Sequence, residues 1–275
     1  MNVFLPSTVE EACLFLEKNG DAVPLAGGTD LYVHWPENLA AKDRAYVDLS
    51  GLGSELGSLN VTADAVELGA LTTYWDVLQH DEILRAFPLL GEAARQVGAI
   101  QIQARGTWAG NIANASPAAD GVPVLMAYDA VVELVSRDGV EEVPLSEYYL
   151  GYKEARRRPD QLIRSIRLPR RSYDVEIFEK VGSRRAQAIT KTGVAVTRSS
   201  RGWRVVAVSM APFTCRCPAI EKVLTDGVDL KSPEELLPAL REDLKPIDDV
   251  RSTAAYRETV FARVLYWALQ GRSDV

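Results

Sequence analysis

A chain of 275 residues with 47% apolar and 25% charged side chains has ordinary globular composition, and room for one large domain or two or three smaller lobes. Its net charge of −7 argues against a nucleic-acid or anionic-membrane surface, and no stretch approaches the roughly 20 apolar residues of a membrane span. Three cysteines (Cys13, Cys215, Cys217) are too few for a disulfide framework or a four-cysteine metal site and fit a reducing, cytoplasmic compartment.

Met1 to Pro6 lacks the basic start and apolar run of a signal peptide. Ser7 followed by Glu10 reads as a capping box. Val9, Ala12, Cys13 and Leu16 then recur at helical spacing, with Gly20 as the stop. Ala22–Ala26 is a short strand feeding the loop Ala26-Gly27-Gly28-Thr29-Asp30-Leu31, and Leu31–Val33 starts the next element. Tyr46–Leu49 and the alternating run Val61–Leu71 read as strands, and Thr72 or Thr73 caps a helix through Leu78. Pro88–Val97 is a second helix closed by Gly98, and Ile100–Arg105 an extended run. Pro123–Tyr128 reads as helix, Ala130–Ser136 and Leu162–Leu168 as strands. Arg156-Arg157-Arg158 is expected to be a solvated loop. The composition shifts at Pro169-Arg170-Arg171, which places a lobe boundary there. Val175–Val181, Ala188–Thr197 and Trp203–Ala211 follow as hairpin strands, and the last helix carries a stripe of Tyr256, Val260, Phe261, Val264, Leu265 and Ala268. The order is mixed α+β without regular βαβ alternation, which disfavours a Rossmann sheet.

Two segments carry the chemistry. In the first, Gly27 and Gly28 leave backbone N–H groups unshielded for an anion, and Thr29 adds a hydroxyl. Asp30 would repel a phosphate, so it orients the loop or accepts from a ribose hydroxyl. The segment is neither a Walker A loop nor GxGxxG. The second, Gly106 to Asp120, interleaves Thr107, Asn111, Asn114 and Ser116 with small residues, as suits a backbone laid against a flat cofactor, with Asp120 placed to accept from ribose. Two such loops far apart in sequence suit one extended ligand with a central diphosphate, read as FAD. Lys180 is surface charge or, beside a flavin, a group that favours its reduced anion. The two histidines, His34 and His80, stand in no metal-binding spacing, and no GxSxG elbow occurs. Few acid–base groups favour a chain that moves electrons.

Ala26-Gly27-Gly28-Thr29-Asp30-Leu31 and Gly106-Thr107-Trp108-Ala109-Gly110-Asn111-Ile112 through Ser116-Pro117-Ala118-Ala119-Asp120 resemble the FAD-binding medium subunit of molybdenum hydroxylases, the xanthine dehydrogenase and carbon monoxide dehydrogenase family. Glu67–Thr73, Lys180–Ala188 and Asp249–Arg257 agree in order, so the resemblance covers essentially the whole chain. It implies an α+β FAD-binding fold of the vanillyl-alcohol-oxidase/p-cresol-methylhydroxylase type. Lobes at about 1–52 and 53–170 would hold non-covalent FAD, followed by a C-terminal flavoprotein lobe over 171–275. By position, Ala26, Gly27, Gly28, Thr29, Asp30 and Leu31 would contact the diphosphate, and Thr107, Gly110, Asn111 and Asn114 would form its second wall. Asp120 would face the ribose, Ile163 would flank the flavin or adenine, and Lys180 would lie near the isoalloxazine. The resemblance also implies a large molybdenum-cofactor subunit and a small subunit with two [2Fe–2S] clusters, in a dimer of heterotrimers. Electrons would reach FAD from the nearer cluster and leave to an external acceptor. Ala109-Gly110 stands where the family often has two glycines, and Trp108 where it commonly has a small aliphatic residue; Trp108 is expected against the cofactor or a partner. The competing readings are a self-sufficient flavin oxidoreductase of this fold and a nucleotide-binding module that has lost FAD.

Overall fold

The computed structural model describes residues 2–33 and 44–271. Strands β1 (Asn2–Phe4), β2 (Val23–Leu25) and β3 (Ala45–Asp48) form a parallel sheet of order β1-β3-β2. Parallel neighbours need crossovers, and helix α1 (Val9–Lys18) supplies one, burying Val9, Ala12, Cys13 and Leu16 as their spacing predicts. Its cap lies one residue later than expected. Thr8, not Ser7, is the N-cap: its Oγ1 accepts from Glu11 N at 3.2 Å, and Glu11 Oε2 accepts from Ser7 N at 2.7 Å. The helix stops at Asn19, before Gly20. Leu31–Val33 lies in a turn in which Tyr32 N donates to Gly28 O at 2.9 Å; the element expected to start there continues into residues outside those described. His34 lies outside the described residues.

The second sheet is antiparallel, with order β4-β5-β10-β6-β7: β4 (Leu59–Val61), β5 (Ala65–Gly69), β6 (Val131–Ser136), β7 (Gly139–Pro144) and β10 (Leu162–Pro169). The run expected as one strand over 61–71 is instead a hairpin, because Thr62 bonds Ala65 and turns the chain. A bulge between Ile163 and Ser165 shifts the β10–β6 register at the cleft end of the strand. The small hairpin β8 (Tyr149–Gly151) and β9 (Glu154–Ala155) precedes β10.

Between β5 and β6 the chain makes α3 (Tyr74–Leu78), α4 (Asp81–Ala86), α5 (Pro88–Gln96), α6 (Ile100–Gln103), α7 (Trp108–Asn114) and α8 (Gly121–Ala127), after the short α2 (Gly53–Leu56). Thr73 caps α3 in a capping box with Asp76. Residues 100–103 are helical, not extended. The Ile-Gln-Ile-Gln alternation imitates a strand, but Ile100 is 54% exposed and only one turn forms after Gly98 (φ 50).

Strands β11 (Tyr173–Val181), β12 (Thr192–Ser199), β13 (Gly202–Val208) and β14 (Cys215–Arg216) make an antiparallel sheet. Its two faces serve two cores, as period-two alternation requires. Phe178, Ala195 and Val206 join the core that contains α8, whereas Ile177, Val194, Val196 and Val205 join Phe261 and Leu265 of α11 (Ala254–Gln270). Helices α9 (Pro218–Thr225) and α10 (Leu237–Asp243) complete that second core. The α11 stripe is rotated from the expected one: Arg257 turns inward onto Asp249 at 2.7 Å, and Tyr256 is 43% exposed. Cys13 and Cys217 are buried and Cys215 half-buried, all as free thiols. No described helix is long and apolar enough to cross a membrane.

Candidate functional site

A cleft of about 590 Å³ opens where β2, the 26–31 loop, α7, the β8–β9 hairpin and the start of β10 converge. Of the residues expected at a dinucleotide, Ala26, Gly27, Gly28, Thr29, Asp30, Leu31, Thr107, Gly110, Asn111, Asn114 and Ile163 all line it. The first loop enters straight from β2. Among the described residues, the backbone N–H groups of Gly27, Gly28, Thr29 and Asp30 meet no acceptor. Four consecutive unpaired donors in a turn form a concavity suited to an anion. Gly28 holds φ 73, which an L side chain adopts at a cost. Gly27 is required for a different reason: its backbone lies against the Arg105 carbonyl, where a Cβ would come within 1.7 Å of the oxygen.

The second segment is a helix, not the loop its composition suggests. Thr107 caps α7, accepting from Gly110 N at 2.9 Å, and Ala115 closes it in the left-handed region (φ 50). Trp108, Ala109 and Ile112 are buried. Trp108 therefore packs neither on a cofactor nor on a partner. Its indole is wholly enclosed, 4.8 Å from the Tyr74 ring between centroids, with Nε1 unpartnered. The two motifs are tied directly: Asn114 Nδ2 donates to Asp30 Oδ1 at 2.9 Å. Asn111 Oδ1 accepts from Gly121 N at 3.1 Å, anchoring α7 to α8.

Two of the expected residues lie outside this lining. Asp120 and Lys180 do not line the cleft. They form a buried ion pair at 2.6 Å, with side-chain exposures of 12% and 5%. The other Asp120 oxygen accepts from Thr190 Oγ1 at 2.5 Å, and Lys180 also donates to Gln96 O at 3.0 Å. Burial pushes the Asp120 carboxyl up, and Lys180 and Thr190 pull it back. The pair links α8, the end of α5 and the C-terminal sheet.

Sequence reasoning missed the rest of the lining. Lys153 stands on the β8–β9 turn, and Arg157 is half-buried in the run expected to be solvated. Val97 and Ile102 add an apolar wall, and Tyr74 a phenol whose proton burial holds well above the ordinary range. The basic run alone could have pointed to Arg157; no local pattern marks Lys153.

Residues 1–171 match the family model of the FAD binding domain in molybdopterin dehydrogenase, and residues 178–271 that of the CO dehydrogenase flavoprotein C-terminal domain. The chain belongs to the flavoprotein subunits of the molybdopterin dehydrogenases. Among relatives of this family, the glyceraldehyde dehydrogenase medium chain of Sulfolobus acidocaldarius is 28% identical over 261 residues, 92% of this chain and 91% of that one. The carbon monoxide dehydrogenase medium chain of Afipia carboxidovorans is 32% identical over 165 residues, 60% of this chain and 57% of the relative. A crystal structure of Cu,Mo-CO dehydrogenase in its cyanide-inactivated form superposes with TM-score 0.89 at 25% identity, covering 99% of this chain and 98% of that one. The α+β fold and FAD-dependent oxidoreductase class expected from the motifs are thus those of the family. The cleft fits FAD on its own chemistry, since a run of unpaired N–H donors meets a diphosphate and an apolar wall meets a flat ring.

Proposed function

We propose that the chain is the FAD-carrying electron-transfer subunit of a heterotrimeric molybdenum hydroxylase or dehydrogenase. It would pass electrons between a [2Fe–2S] subunit and an external acceptor, in a dimer of heterotrimers with a large molybdenum-cofactor subunit. The observation that carries this reading is the four-donor loop facing α7 across one cleft, in a chain alike over nearly its full length to medium chains. FAD supplies reversible two-electron chemistry with one-electron steps. The chain's own residues do the holding. Gly27 to Asp30 present donors to the diphosphate, Asn114 fixes the Asp30 carboxylate, and Val97 and Ile102 exclude water from one side. The division at about residue 170 and the lobes at about 1–52 and 53–170 are supported by the three separate larger sheets. A cytoplasmic setting is supported by three free thiols.

The test is purification of the chain alone and with its genomic neighbours. Stoichiometric FAD, and co-purification with an iron–sulfur and a molybdenum subunit, support the reading. A monomer that turns over its own substrate without partners overturns it in favour of a self-sufficient flavoenzyme.

A further inference from the structure

The β8–β9 hairpin is anchored in the core by Tyr149, whose hydroxyl donates to Ile112 O at 3.0 Å, but its tip stands away from that core. Its strands are three and two residues long, and Leu150 and Tyr152 are 61% and 68% exposed. Lys153 sits at its turn with φ 54, in the left-handed region where glycine or asparagine is the ordinary choice. A lysine held there against backbone preference calls for another reason. Its side chain lines the cleft, and Nζ lies 3.4 Å from Asn114 Oδ1. Asn114 in turn donates to Asp30, so a single chain of contacts joins the hairpin tip to both dinucleotide motifs. The cleft lining holds two cations, Lys153 and Arg157, and one carboxylate, Asp30, in a protein of net charge −7. Arg157 already spends Nη1 on the Gln161 and Arg158 carbonyls at 2.6 and 3.1 Å. Lys153 makes one long contact, which leaves donors uncommitted among the described residues.

Resting on the flavoprotein reading above, we propose that Lys153 is the cationic ligand of the FAD diphosphate, carried over the cleft mouth by the β8–β9 hairpin and oriented by Asn114. The same group could in principle meet the diphosphate of a nicotinamide dinucleotide acceptor. The link through Asn114 to Asp30, beside the unpaired N–H run, assigns it to the flavin. An ammonium against a diphosphate is a charge-assisted contact weakened by salt. Lys153 therefore contributes to dinucleotide affinity and not to recognition of the isoalloxazine ring.

The experiment uses the full chain freed of flavin and titrated with FAD, ADP and riboflavin at low and high salt. Lys153→Gly is the decisive variant, because glycine relieves the left-handed strain. Its melting temperature should match or exceed that of the wild type while FAD and ADP affinity falls about tenfold at low salt. The deficit should shrink at high salt, riboflavin affinity should stay unchanged, and Lys153→Arg should restore most of the loss. Unchanged FAD affinity in Lys153→Gly overturns the proposal, as does an equal loss for riboflavin, which would mark a merely structural hairpin. A Lys153→Gly variant of the FAD-loaded chain that loses only NADH affinity assigns the lysine to the acceptor and also overturns it. Wild-type chain that binds no FAD overturns the flavoprotein reading itself, a result separable from all of these.

Discussion

Gly27→Ala is the sharpest probe of how the cleft is built. A Cβ at this position would lie 1.7 Å from Arg105 O and 2.6 Å from its carbonyl carbon. An ordinary carbon–oxygen approach is about 3.3 Å, so the 26–31 loop and the 105–107 segment would have to part by about 1.6 Å. Both partners are backbone, and neither can rotate aside. Overpacking of this kind costs about 1–3 kcal/mol, or about 2–4 °C in melting temperature for each kcal/mol at this chain length. The larger effect is on the ligand, since the displaced loop carries the unpaired N–H groups. Gly28→Ala makes the comparison: its added Cβ meets not backbone but the ring of Tyr32, a 55% exposed side chain, at 2.7 Å. Its cost is the left-handed φ, about 1–2 kcal/mol. Flavin content of the purified variants, from visible absorbance after denaturation, together with melting curves, reads both quantities. Gly27→Ala should lose most of its flavin and Gly28→Ala less, with Gly28→Val blocking incorporation through its branched side chain. Full flavin content and an unchanged melting temperature in Gly27→Ala would refute the close-approach argument.

Asp120→Ala strands the buried Lys180 ammonium and should cost about 3–5 kcal/mol in chemical denaturation; adding Lys180→Met should recover part of it, and no recovery would deny the pairing. Trp108→Ala should cost about 3–5 kcal/mol, and Trp108→Phe clearly less because it keeps the ring beside Tyr74 and removes the unpartnered Nε1. Flavin content in Trp108→Phe should stay complete, since Trp108 does not line the cleft. The Arg257 guanidinium holds the Asp249 carboxyl below its ordinary range. That contribution is present above the unfolded carboxylate range and lost as pH falls through the lowered value. Asp249→Asn should therefore flatten the acid limb of the stability–pH profile, and an identical limb would show the pair to be inert.

Local pattern was enough to place α1, α5, strands β6 and β10 and the hairpin-rich C-terminal half, because apolar period and caps are local properties. The two small-residue motifs also led to FAD, and Thr29, Asp30, Thr107, Asn111 and Asn114 converge on one cleft, whereas Ser116 and Asp120 do not. What local pattern left ambiguous went the wrong way for definite reasons. Ile100–Gln103 alternates like a strand yet has one turn's length and no sheet edge to join. The Gly106–Asp120 segment looks loop-like in composition, but Trp108 and Ile112 find a core only once Tyr74 and the second sheet are in place. Asp120 and Lys180, 60 residues apart, meet because α8 packs under the C-terminal sheet. Burial makes them satisfy each other before any ligand. Lys153 reaches the cleft through a hairpin that no motif announces. Pairings across such distances depend on where lobes dock, a tertiary decision that neither spacing nor propensity encodes.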